Sequence, residues 1–65
     1  MVPMTKPRAR KAIVDEWLSL PPDRRETVHQ ASGFAMRAVE RYTWGSVGDP
    51  YQEIMIWLAD HVGRP

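Results

Sequence analysis

DPYQEIMIWLADHVG, residues 49–63, is the segment from which the architecture of this chain unfolds. Asp49 has the short acidic side chain suited to an N-cap. Pro50 fits the first helical position, where its missing N–H costs nothing. Gln52 stands three residues after the cap, and Gly63 fits the C-terminal stop. The spacing therefore predicts a helix from Pro50 to about Val62. Tyr51, Ile54, Met55, Leu58 and Val62 recur at three- and four-residue steps and form its core stripe, with Trp57 on the flank. Ile56 breaks the pattern, because it points nearly opposite Ile54 and Leu58. From Ile54 to Leu58 the helix is apolar almost all the way round. A terminal helix in so small a domain should need only one apolar face. The extra side must be wrapped by the rest of the chain or covered by another chain.

Upstream, Val28, Ala31, Ala35, Ala38, Val39 and Tyr42 mark a second helix from about Arg24 to Tyr42. Asp23 and Glu26 have capping-box spacing at its start, and the alanine-rich stripe invites close approach by a neighbour. Gly33 weakens the helix slightly. Ser32, on the stripe, is expected to be a small packing residue. Between these two helices, Gly45-Ser46-Val47-Gly48 reads as a loop, with Trp44 at its entry as core or lid. A first helix is expected from about Arg8 to Leu20. Its Ile13, Val14, Trp17, Leu18 and Leu20 spread over an arc of roughly 160°, and Pro21-Pro22 ends it. The whole is an all-α, compact three-helix domain (about 8–20, 24–42 and 50–62), with residues 1–7 as a flexible basic arm and 8–65 as the single domain.

The chain has 65 residues, no cysteine, 43% apolar and 26% charged side chains, so disulfides and thiolate metal sites are excluded. A chain of this length buries only about 60% of its unfolded surface, so its stability margin is thin and self-association would help. Net charge is +1, unevenly spread: residues 1–11 hold Lys6, Arg8, Arg10 and Lys11 without an acid, and the rest is mildly acidic. Basic residues at the start of a helix oppose its dipole, so Lys6 to Arg10 are expected to be frayed, solvated or held for a partner. The longest apolar run, Ile54–Ala59, falls far short of the ~20 residues that span a bilayer. Asp15 and Glu16 interrupt any signal-peptide pattern, so the expectation is a cytoplasmic protein without membrane contact.

Catalytic chemistry finds little purchase. Neither His29 nor His61 belongs to an HxxxH or HExxH pattern, so no metal is expected. Ser19, Ser32 and Ser46 lack a nucleophile setting, and the glycine loop lacks the lysine of a phosphate-binding loop. Asp15-Glu16 point about 100° apart on a helix and form no acid–base dyad. We therefore expect no enzyme, no cofactor and no small-molecule substrate. The first expectation is a small regulatory or adaptor protein that binds protein through the outer side of its last helix. Ile56 and Trp57 are the anchors with Trp44 adjoining, most simply as a homodimer. The alternative is a nucleic-acid binder using Lys6, Arg8, Arg10, Lys11, Arg24, Arg25, Arg37 and Arg41. In its helix-turn-helix version, the joint at Ser19–Asp23 is the turn and the helix opening Asp23-Arg24-Arg25 is the recognition helix.

Overall fold

Ala9, Ile13 and Trp17 stand four residues apart, and all three side chains are completely buried in the computed structural model, which describes residues 4–45 and 48–63. They form the inner edge of α1 (Lys6–Leu18). The stripe is narrower than expected: Val14 and Leu20 are half-buried, and Leu18 faces solvent. α1 also starts two residues early. Thr5 is its N-cap and Pro7 lies in the first turn, where proline is favoured. The basic arm expected over 1–7 therefore takes another form where it is described. Lys6 and Pro7 open the helix, and the Met4 N–H donates to the Thr43 carbonyl at 2.9 Å. A single parallel bridge joins Met4 to Trp44. Residues 1–3 lie outside the described residues.

Pro21 and Pro22 end the first helix as expected, but the second does not begin at Arg24. A 3₁₀ turn (Pro22–Arg24) intervenes, and α2 runs Val28–Arg41. Its capping box is Thr27 with Gln30, not Asp23 with Glu26. The Thr27 hydroxyl accepts from Gln30 N–H at 3.1 Å, and the Gln30 amide oxygen accepts from the N–H groups of Thr27 and Glu26. The Gln30 amide nitrogen donates to the Asp23 carbonyl, so one side chain ties up the whole entry. Ala31, Phe34, Ala35 and Ala38 are buried, whereas Val28 at the first position is largely exposed. Phe34 meets Trp17 edge to face, with centroids 5.3 Å apart and planes at 68°.

α3 runs Pro50–Ala59 with Asp49 as cap, its carboxylate accepting from Tyr51 N–H at 3.0 Å. Ile54 and Leu58 are fully buried, and the Tyr51 hydroxyl bonds Ser32 of α2 at 2.6 Å. The helix stops three residues before Val62 because tertiary bonds take over. The Trp17 indole donates to the His61 carbonyl at 3.4 Å, and Gly63 N–H donates to the Arg25 carbonyl at 2.9 Å. The three helices enclose one core in a body 33 × 19 × 18 Å. Ser46 and Val47 of the glycine loop, and Arg64 and Pro65, lie outside the described residues.

Gly63 has φ +74°, and a Cβ there would lie 3.2 Å from the Glu26 carbonyl oxygen. Both the backbone and the neighbour therefore resist a side chain. Gly63→Ala should lower stability by about 1–2 kcal/mol. Urea midpoints of the two proteins would check this, and equal midpoints would contradict it.

Candidate interaction surface

Ile56 is 69% exposed, the most exposed large apolar side chain of those described. The reason is local. α3 buries Ile54 and Leu58 against α1 and α2, and a residue two positions from each points to the far side. Trp57, one position on, is half-buried and rests against Trp44, with ring centroids 5.3 Å apart and planes tilted by 42°. Trp44 itself is buried, and its indole N–H donates to the Glu53 carboxylate at 2.8 Å. Its expected place on the partner surface is therefore corrected: it supports Trp57 from behind and offers little area outward.

Trp57 also floors an open groove of about 490 Å³ between α1 and α3. The rest of its lining is the apolar Pro7 and Val14, the charged Lys6, Arg10, Lys11 and Asp15 of α1, and His61. These α1 residues fall together because 6, 10 and 14, and likewise 7 and 11, lie four apart on one helix side. The structure thus brings the α1 bases beside Trp57, a juxtaposition that sequence spacing could not reveal because it arises from helix pairing. Two of the bases are already engaged: Lys6 pairs with Glu53 at 2.7 Å and Lys11 with Asp15 at 2.7 Å. Lys11 is held above its ordinary pKa by that hydrogen bond and by the Asp15 charge. Arg8 and Arg10 extend into solvent.

The remaining arginines do not join this cluster. Arg24 and Arg37 line a separate depression beside Leu20 and His29. Arg25 is buried, with its Nε donating to the Leu20 carbonyl at 3.0 Å. It acts as a strut between the α1–α2 connection and the C-terminal turn, which corrects its assignment to a nucleic-acid face. The helix expected to open Asp23-Arg24-Arg25 begins instead at Val28, so Arg24 and Arg25 precede α2. Arg41 ion-pairs with Glu16 of α1 and lies over the Tyr42 ring at 5.6 Å. Among the described residues no group of three or more His, Asp or Glu side chains could hold a metal, and no helix is long and apolar enough to cross a membrane.

The Glu16 cluster makes stability depend on pH. Burial pushes the Glu16 carboxyl up, but the Tyr42 hydroxyl at 2.6 Å and Arg41 outweigh it and hold the group below its ordinary value of 4.5. The same hydrogen bond, with burial, raises Tyr42 above 10.0. A lowered carboxyl stabilises the fold above its unfolded pKa, and that contribution fades as pH falls through the folded one. A raised phenol stabilises below its unfolded pKa, and its contribution fades as pH rises through the folded one. Urea midpoints should therefore fall on the acid side of 4.5 and the alkaline side of 10. Tyr42→Phe should cost about 1 kcal/mol at neutral pH and soften both flanks. An unchanged alkaline flank in Tyr42→Phe would contradict the assignment.

Set beside known proteins, the chain matches no protein-family model, no curated protein and no solved structure.

Proposed function

We propose that this is a non-enzymatic interaction module that binds protein through the outer side of α3, in its simplest form by self-association. One observation carries the reading: Ile56 stands 69% exposed on a helix whose opposite side already fills the core. Folding alone gives no reason for an aliphatic side chain there. The half-buried Trp57 adjoins it, and aromatic and aliphatic anchors side by side are the usual energetic centre of a protein interface. Scattered exposed apolar residues such as Met36 and Val28 are ordinary on small proteins; Ile56 is the most exposed of them and adjoins a half-buried tryptophan.

Sedimentation at tens of micromolar tests the reading. An assembly larger than the 7.5 kDa chain is expected, and Ile56→Asp should dissociate it without changing the helical signal. A monomer in which Ile56→Asp alters neither mass nor the binding of any protein would overturn it. The nucleic-acid alternative retains Lys6, Arg8, Arg10 and Lys11 of α1, but its ion-paired lysines and buried Arg25 weigh against it. Gel-shift titration at two salt levels separates the two, because phosphate contacts weaken steeply with salt and apolar ones do not.

A further inference from the structure

α1 and α3 run side by side in the same direction: Lys6 meets Glu53 near one end, and Trp17 meets His61 near the other. The groove between them is lined by the apolar Pro7, Val14 and Trp57 and by an edge of Lys6, Arg10, Lys11 and Asp15, in which each lysine is already paired with an acid. Within that edge Arg10 is exposed and has no ion pair among the described residues. The outward line of α3 is complementary to it. Gln52, Ile56 and Asp60 stand at four-residue steps, so an aliphatic knob is followed one turn later by an exposed acid. Asp60 likewise has no ion pair among the described residues. The wider charges agree: α1 holds four bases and two acids, while α3 with its cap holds two acids and no base.

A chain cannot satisfy this match by itself. Ile56 neighbours Trp57 on one helix and points about 100° round from it, so the knob lies beside its own groove and cannot enter it. A second copy can satisfy it twice, since a two-fold dimer lets each chain supply both knob and groove. We propose that the α1–α3 groove receives Ile56 and Asp60 of a second copy, with Ile56 against its apolar side chains and Asp60 at the Arg10 edge. This deepens the reading of α3 as a self-associating surface and rests on it.

Charge exchange tests the pairing. Arg10→Glu and Asp60→Arg should each weaken dimerisation roughly tenfold, and the double variant should recover most of that loss, as expected for a specific ion pair. Ile56→Asp should weaken it at least about a hundredfold. All three positions are exposed, so helical content and melting should stay close to the parent and serve as the folding control. If the parent chain dimerises and Ile56→Asp dissociates it, but Arg10→Glu has no effect or the double variant recovers nothing, the groove pairing is overturned while the α3 reading stands. A parent chain that remains monomeric overturns both. A labelled single-stranded oligonucleotide that binds the monomeric chain with steep salt dependence, and loses binding in Arg10→Glu, would assign the groove to a polyanion instead.

Discussion

Trp17→Ala should leave this chain largely unfolded at room temperature. The indole is completely buried and is the largest such side chain in the core. It touches all three helices' business at once: it lies on α1, meets Phe34 of α2 edge to face, and donates to the His61 carbonyl beyond α3. Truncating a buried tryptophan costs about 3–5 kcal/mol. At ~0.05–0.15 kcal/mol per residue, a chain of this length has about 3–10 kcal/mol in total. The loss is therefore comparable with the whole stability. Far-UV circular dichroism should lose most of its helical signal and its cooperative melt. A melt that stays cooperative within a few degrees of the parent would mean that the core closes without the indole.

The second large effect is a contrast between neighbours. Ile54→Asp should unfold the chain, while Ile56→Asp, two residues on, should leave it folded. Ile54 is fully buried against α1 and α2, so a carboxylate there loses its water without gaining a partner. It must either stay charged at a cost of several kcal/mol or take up a proton, and the isoleucine's packing is lost in both cases. Ile56 points into solvent, and the same substitution removes only exposed apolar area. Urea unfolding of the two variants would check this. Comparable losses from both would mean that α3 is buried on both sides.

The three helices, their order and the start of α3 were legible because prolines, caps and four-residue apolar spacing all agree along those stretches. The entry to α2 was not. Asp23-x-x-Glu26 and Thr27-x-x-Gln30 offer two capping boxes four residues apart, and local chemistry ranks them nearly equal. The second prevails where Pro21 and Pro22 set up a 3₁₀ turn and Arg25 turns inward to bond Leu20, a tertiary event with no local signature. The first turn of α1 misled in another way. Its bases oppose the helix dipole by some 0.3–1 kcal/mol each, yet Pro7 favours the start and Ala9 is completely buried one turn in. Phe34 was within reach of the pattern, since it stands three residues after Ala31 and four before Ala38. In the candidate site, the outward position of Ile56 followed from the helical wheel. The groove did not, because it depends on which helix lies beside Trp57.

The tilted indole pair of Trp44 and Trp57 has a spectroscopic consequence. Two such chromophores 5.3 Å apart and inclined by 42° couple electronically, so the folded chain should display an exciton couplet in its far-ultraviolet circular dichroism. Trp57 lines the groove while Trp44 stays beneath it, so anything entering there should alter that couplet without a dye or a label.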